Sequence, residues 1–153
     1  MSGYLKSFVK FISTFCYIGY LPFAPGTFAS LAALVIYFLA KGNILNLAVL
    51  FTVLGFLVSG RAERVFDRKD SPRIVIDEVS GMLISLLFLP YNPKVAVCAF
   101  VLFRIFDISK PAPLRRLQNL RGSSGVMLDD IAAGLYANII LQVVLRFISF
   151  KAS

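Results

Sequence analysis

Residues 104–134 read RIFDISKPAPLRRLQNLRGSSGVMLDDIAAG and lie between two apolar runs. This stretch concentrates three carboxylates, five cations and two prolines: Asp107, Asp129, Asp130, Arg104, Lys110, Arg115, Arg116, Arg121, Pro111 and Pro113. Charges of both signs at the mouth of a very apolar chain indicate a metal ion together with an anionic ligand. The alternative is an ordinary solvated loop between two helices.

The composition is typical of a membrane protein. Of the 153 residues, 58% are hydrophobic and only 16% are charged, and the mean hydropathy is +0.80. Soluble domains are usually closer to half apolar and a quarter charged. We therefore predict an integral membrane protein formed by a single domain, residues 1–153.

The charge and the missing residue types narrow the function. The net charge of +8 comes from cations beside apolar runs, which favours membrane lipid over nucleic acid as a partner. The chain has no histidine, so phosphohistidine chemistry is excluded and zinc is disfavoured. Cys16 and Cys98 show neither metal-ligand spacing nor a disulfide framework.

Five apolar runs predict an all-α membrane bundle. They cover residues 28–40, 44–59, 75–90, 95–106 and 131–150. A full span prefers about 20 residues, and several of these runs are shorter. We therefore predict about four to five membrane-embedded helices, some of which enter the bilayer only partly.

Residues 4–17 predict an additional amphipathic helix at the membrane interface. Its apolar side chains, from Leu5 to Cys16, share one face, and Lys6, Lys10 and Ser13 lie opposite. The alternative is a signal peptide, which the poor cleavage-site chemistry disfavours.

Alternating the five runs across a membrane brings the N-terminus, residues 60–74 and residues 104–130 to one side. Twelve of the 16 Lys and Arg residues fall there. The other side keeps Lys41, Lys94, Arg146 and Lys151. Positive charge marks the cytoplasmic side. All eight acidic residues also fall on that side, which the orientation rule does not require, so we predict a site at the cytoplasmic membrane surface.

Residues 19–30, GYLPFAPGTFAS, precede the first apolar run, and their prolines and glycines forbid a continuous helix. Thr27 or Ser30 can cap the helix that follows. A helix N-terminus with free N–H groups and small hydroxyls predicts an anion site. The alternative is a plain capped turn.

Three apolar runs each carry carboxylates at one end. Asp77 and Glu78 open the third run, Asp107 ends the fourth, and Asp129 with Asp130 opens the fifth. Magnesium prefers oxygen ligands such as these and can activate the water that attacks a phosphomonoester. The nearby cations Arg104, Lys110, Arg115 and Arg116 can hold phosphate oxygens. The alternative for the paired acids is complementation of a helix dipole.

Four blocks of the chain together resemble phosphatidylglycerophosphatase A proteins. They read GYLPFAPGTFASLAAL (19–34), DEVSGMLISL (77–86), FRIFDISKPAPL (103–114) and GVMLDDIAAG (125–134). The resemblance implies an all-helical, magnesium-dependent lipid phosphatase that converts phosphatidylglycerol phosphate to phosphatidylglycerol and inorganic phosphate. With the charge asymmetry, it implies a multi-pass protein of the bacterial inner membrane with a cytoplasmic active site.

The resemblance also implies roles for particular residues. The catalytic candidates are the five acids Asp77, Glu78, Asp107, Asp129 and Asp130, with magnesium bound among Asp77, Glu78, Asp129 and Asp130. Thr27, Arg104 and Lys110 match the candidates for phosphate contact. Two positions depart from the family pattern: Ala29 replaces a common glycine, and Ser123–Ser124 replace a more glycine-rich segment.

Two other classes of function compete with the phosphatase. A small helical transporter would bind a cation through the carboxylates, but transport pathways want polar groups at the midplane, and the acids gather at one surface. A non-catalytic scaffold that recruits anionic lipid would explain the cations and leave the acids without a purpose.

Overall fold

The computed structural model describes residues 2–40, 42–112 and 114–151, with side chains up to residue 147. Lys41 and Pro113, which entered the analysis above, lie outside the described residues. The helices are α1 (Gly3–Ser13), α2 (Pro25–Ala40), α3 (Ile44–Phe66), α4 (Ile76–Ser85), α5 (Pro93–Ser109), α6 (Leu114–Leu117) and α7 (Ser123–Lys151), with a 3-10 turn at Ile18–Tyr20. No strand occurs in these ranges, so the all-α prediction is confirmed.

Two helices, α3 and α7, are long and apolar enough to cross a membrane. Their most apolar stretches have mean hydropathies of 1.8 and 1.5, and only 22% and 39% of those stretches are buried inside the protein. Apolar side chains that the protein itself does not cover are typical of helices in lipid. Of the predicted four to five embedded helices, two therefore have the length and composition of membrane spans. Helix α2 is apolar but shorter.

The apolar run at 75–90 does not form the spanning helix that the alternation of five runs across the membrane had assumed. Its helix, α4, has ten residues, a length of about 15 Å, and ends at Ser85. Every residue of α4 except Glu78 is buried. The apolarity of this run therefore reflects burial among the neighbouring helices, which gives the same sequence signal as lipid exposure.

Helices α4 and α7 approach each other through two glycines. A Cβ on Gly134 would overlap the backbone of Gly81, and a Cβ on Gly81 would lie 2.5 Å from the Asp130 carbonyl oxygen. Small residues let helix backbones come this close. The contact brings the first turn of α4 to the level of Asp130.

An asparagine on α7 donates hydrogen bonds to backbone carbonyls at the C-terminal end of α4. The Asn138 Nδ2 donates to the carbonyl oxygens of Ser85 at 3.0 Å and Leu87 at 2.7 Å, and Gln142 donates to its Oδ1 at 2.7 Å. The last carbonyls of a helix have no partner within it. Ser85 is fully buried, so Asn138 supplies its carbonyl with a donor that solvent cannot.

Helix ends that carry the predicted site meet at one end of the bundle, here called the charged end. Gly26 in the first turn of α2 lies against the Glu78 carboxylate, and the Gly60 N–H of α3 donates to Ser123 Oγ of α7 at 2.8 Å. Helix α5 ends there too, at Lys110. The predicted alternation of helix directions therefore holds within the bundle, and the cytoplasmic orientation of the charged end stays a prediction.

Helix α1 packs on α3 near the charged end, and Val9 is buried in the contact. Ser13, assigned above to the polar face, is fully buried, and its carbonyl accepts the Val75 N–H at 2.9 Å. Tyr4 and Phe8 remain exposed on another flank. The helix is thus amphipathic as predicted, although it ends at Ser13. Its position in the membrane interface stays a prediction.

Replacing Asn138 by Ala should destabilise the protein, because the buried Ser85 carbonyl and the partly buried Leu87 carbonyl would be left without donors. Each unsatisfied buried group costs about 1–3 kcal/mol, so we expect a lower thermal unfolding midpoint in detergent. The matched control is Asn46→Ala on the exposed surface of α3. Equal midpoints for the two variants would contradict the role of Asn138.

Candidate functional site

Three carboxylates converge at the charged end. Asp77 and Glu78 lie in the first turn of α4 and Asp130 in the second turn of α7, and one oxygen from each lies within 4.8 Å of the others. Asp77 is 6% exposed and Asp130 is 3% exposed. Two helices thus bring the acids of two distant sequence blocks together, as the sequence analysis predicted.

Several oxygens of this group have no hydrogen-bond partner. Within the described residues, Glu78 Oε2 and Asp130 Oδ2 are buried and accept no hydrogen bond, and the same holds for Asp129 Oδ1. A buried polar atom without a partner is costly and calls for an explanation. A compact set of hard carboxylate oxygens fits a hard cation such as Mg²⁺.

The electrostatics of the cluster also favour a bound cation. Burial raises the pKa of Asp77 well above its ordinary value, and repulsion from Glu78 and Asp130 raises it further. Buried carboxylates this close cannot all ionise without a compensating positive charge. The cluster therefore needs a cation to hold all three groups in the charged form.

A lysine pairs with the fourth acid. Lys110 Nζ donates to Asp129 Oδ2 at 2.5 Å. Burial alone would lower the pKa of Lys110, but the hydrogen bond and the attraction of Asp129 outweigh it and leave that pKa above its ordinary value. Lys110 follows α5 with a φ of +40°, so it turns away from the helix and reaches across to α7.

An arginine pairs with the fifth acid. Arg104 Nη1 donates to Asp107 Oδ2 at 2.5 Å, three residues along the same face of α5, as the spacing predicted. Within the described residues, the buried Arg104 Nε–H has no acceptor. Arg104 thus keeps a donor that a ligand oxygen can accept from.

The N-terminus of α2 borders the cluster. A Cβ on Gly26 would overlap the Glu78 carboxylate, so only glycine allows this approach. Thr27 is half-buried one residue further, and its backbone N–H bonds to the Ala24 carbonyl at 2.9 Å. Thr27 therefore lies beside the carboxylates, while no hydrogen bond of its side chain to them occurs in the described structure.

Sequence reasoning missed a link between two loops of the charged end. Gln118 Nε2 donates to Asp70 Oδ2 at 2.6 Å, and the Asp70 N–H donates to Glu63 Oε1 at 2.8 Å. These contacts tie the α3–α4 loop to the segment before α7. In the sequence analysis Glu63 and Asp70 were only two of the eight acids on the predicted cytoplasmic side. Their partners lie far away along the chain or in a loop, and the sequence carries no signal for such contacts.

A model of the family Phosphatidylglycerophosphatase A matches residues 11–145. The chain belongs to this family. Two relatives named "Phosphatidylglycerophosphatase A" are 36% identical over 132 residues in Escherichia coli (strain K12) and 34% identical over 125 residues in Haemophilus influenzae. The first match covers 82% of this chain and 77% of the relative, and the second covers 77% of each.

A third relative carries a different name. A protein of Bacteroides thetaiotaomicron described as a "Putative phosphatidylinositol-3-phosphatase" is 41% identical over 137 residues, which cover 82% of this chain and 86% of the relative. No solved structure matches the chain significantly.

Family membership confirms that this chain is an enzyme, a phosphoric monoester hydrolase that acts on lipid. It also agrees with the apolar helices α3 and α7 in indicating membrane association. The transporter and scaffold alternatives are not favoured, because neither accounts for this membership. The shared chemistry of the named relatives is removal of a phosphate from a phospholipid head.

Replacing Lys110 by Met should destabilise the protein by about 3 kcal/mol, because Asp129 would remain buried without its partner. Thermal unfolding in detergent measures the loss, and Lys110→Arg should retain most of the stability because it keeps the charge. Lys94→Met, at the exposed start of the same helix, is the control. A Lys110→Met variant as stable as the control would refute the importance of the pair.

Replacing Gly26 by Ala should lower the rate of lipid phosphomonoester hydrolysis about 100-fold, because the added methyl displaces the Glu78 carboxylate from the cluster. The thermal midpoint should change little, since Ala favours the helix. Gly3→Ala, where no atom lies within 4 Å of the added Cβ, serves as the control. Full activity of the Gly26→Ala variant would show that the close approach has no catalytic importance.

Proposed function

We propose that this enzyme removes the terminal phosphate of phosphatidylglycerol phosphate in a magnesium-dependent reaction of phospholipid synthesis. The substrate follows the names of the Escherichia coli and Haemophilus influenzae relatives. The observation that carries the proposal is the buried cluster of Asp77, Glu78 and Asp130, with its unpartnered oxygens. A cluster of this kind fits a divalent cation and has no evident structural use.

In this proposal Asp77, Glu78 and Asp130 bind Mg²⁺. Bound there, magnesium would neutralise the carboxylates and polarise the phosphoryl group of the substrate. Asp129 was predicted as a metal ligand as well. Its salt bridge to Lys110 favours a separate role at the edge of the cluster.

The substrate phosphate would lie between the cluster and two groups of donors. Arg104 offers its buried Nε–H, and the first turn of α2 offers the Gly26 N–H beside the Thr27 hydroxyl. These donors would stabilise the charge that develops on the phosphoryl oxygens. Lys110 would act through Asp129 by holding that carboxylate in position.

Asp129 is the candidate for the general base. Its Oδ1 would take a proton from a water molecule while the water oxygen bonds to phosphorus and the bond from phosphorus to the glycerol oxygen breaks. The leaving glycerol oxygen then takes the proton that Asp129 holds, directly or through a water molecule, which yields the alcohol and inorganic phosphate and restores the Asp129 carboxylate. The unpartnered, buried Oδ1 supports this role because it can accept a proton without losing a hydrogen bond.

The proposed location is the bacterial inner membrane, with the charged end at the cytoplasmic surface. The predicted excess of Lys and Arg on that side supports the orientation. A lipid phosphatase needs its site at the level of the lipid head, and the charged end satisfies this if α3 and α7 span the bilayer.

A second candidate substrate is phosphatidylinositol 3-phosphate. The Bacteroides relative, 41% identical, supports it by its name. Both substrates present a phosphomonoester on a polyol that an anionic phosphodiester links to the diacylglycerol, so the carboxylate cluster serves either. The contacts to the rest of the head group would decide between them.

The first test measures phosphate release by the purified enzyme in detergent from each of the two lipids, with magnesium and then with a chelator. We expect release from phosphatidylglycerol phosphate to be the faster and to stop on chelation. Faster release from phosphatidylinositol 3-phosphate would change the substrate assignment. Undiminished release with the chelator would contradict the metal requirement.

Replacing Asp130 by Asn should reduce turnover at least about 1000-fold, because a buried metal ligand loses its charge. Calorimetric titration should show that the variant also binds Mg²⁺ more weakly, and this measurement does not rely on turnover. Asp67→Asn is the control, since Asp67 is exposed and its φ of +50° suits asparagine. If Asp130→Asn bound Mg²⁺ like the control, the cluster would not be the metal site.

A further inference from the structure

A cleft of about 350 Å³ lies between α1 and the C-terminal half of α3. It is lined by Lys6, Lys10, Arg64 and Val65. The two helices are held together below it by Val9, which is 1% exposed and packs in one cluster with Val58 and Ala62. The cleft is therefore a fixed feature of the α1–α3 contact, and we call its three basic residues the cationic cleft.

The charges of the cationic cleft are not neutralised by the protein. In the described part of the chain, the ion pairs include none of the three residues. Glu63, next to Arg64 in sequence, accepts the Asp70 N–H instead. Lys6 and Lys10 lie one helical turn apart, where like charges repel. The arrangement attracts an anion that offers several oxygen acceptors.

Another flank of α1 is suited to the apolar part of a membrane. Tyr4, Phe8 and Phe11 are 93%, 54% and 41% exposed, with no protein covering them. A helix with cations on one flank and exposed aromatic rings on another is typical of a segment at the interface between lipid heads and acyl chains. A soluble anion would use the cations alone and leave this apolar flank unexplained.

We propose that the cationic cleft binds the phosphodiester head of an anionic membrane phospholipid, at a second site that does not hydrolyse it. The lining residues include no carboxylate, and the acids of the catalytic cluster lie on α4 and α7. The bound lipid would hold α1 against the membrane surface while the cations contact its phosphate oxygens. This inference does not depend on the identity of the hydrolysed lipid.

The test compares two triple variants of the full-length protein in detergent. Lys6→Gln, Lys10→Gln and Arg64→Gln together neutralise the cationic cleft. The control, Arg61→Gln with Arg68→Gln and Lys69→Gln, removes the same charge from exposed residues of the same end outside the cleft. Native mass spectrometry during titration with dioleoylphosphatidylserine measures the tightest dissociation constant, and phosphatidylserine is neither proposed substrate nor product.

Each cation near a lipid head contributes about a fivefold gain in affinity, so we expect the cleft variant to bind on the order of 100-fold more weakly. The control should stay within about threefold of the unaltered protein. Equal losses in both triples would overturn the proposal in favour of diffuse surface charge. If the cleft triple does not fold, Lys10→Gln alone should show a fivefold loss.

Two further ligands separate the sources of phosphate. Dioleoylphosphatidylcholine should bind without distinguishing the cleft variant from the control, since its head carries no net charge. Inorganic phosphate at millimolar concentration should not displace phosphatidylserine. Displacement that depends on the cleft residues would identify a site for a soluble anion and overturn the assignment to lipid.

Discussion

The main electrostatic constraint on this fold is the repulsion among carboxylates that are buried at one end of a helical bundle. Arg104 and Lys110 form ion pairs with Asp107 and Asp129, whereas no ion pair within the described residues includes Asp77, Glu78 or Asp130. Buried carboxylates this close either hold protons or need a positive charge beside them before all of them can ionise. Two of the five acids therefore have a basic partner at this end of the bundle, and the other three have none in the described structure.

The remainder of the fold holds the unpaired acids in place. The Gly81–Gly134 contact brings α4 against α7 at backbone distance, and Gly26 lets α2 begin beside Glu78. Asn138 closes the other end of α4, which is too short to reach water. In our proposal the side chains of Gly81, Gly134 and Asn138 touch no reacting atom, yet these residues position the helices that carry the carboxylates.

The sequence predicted much of this arrangement and missed specific parts of it. The acids of three apolar runs do gather at one end, because helix direction alternates between runs. The length of α4 was missed, since a helix enclosed by protein is as apolar as one in lipid. The partner of Lys110 was missed because its positive φ, which turns it towards Asp129, has no signal in hydropathy or spacing. Asn138, one of two side-chain amides in an apolar run, was the available sign that a helix ends beside α7.

The enclosure of α4 has a consequence for the order in which the protein is built. The chain is synthesised from its N-terminus, so α4 leaves the ribosome before α7 exists. Until α7 arrives, the carbonyls at the end of α4 lack Asn138, and Asp77 and Glu78 lack the helix that completes their site. Acidic residues and open carbonyls are costly in lipid. Helix α4 therefore has to wait at the membrane surface or among α2 and α3, and the last helix to be made completes the site.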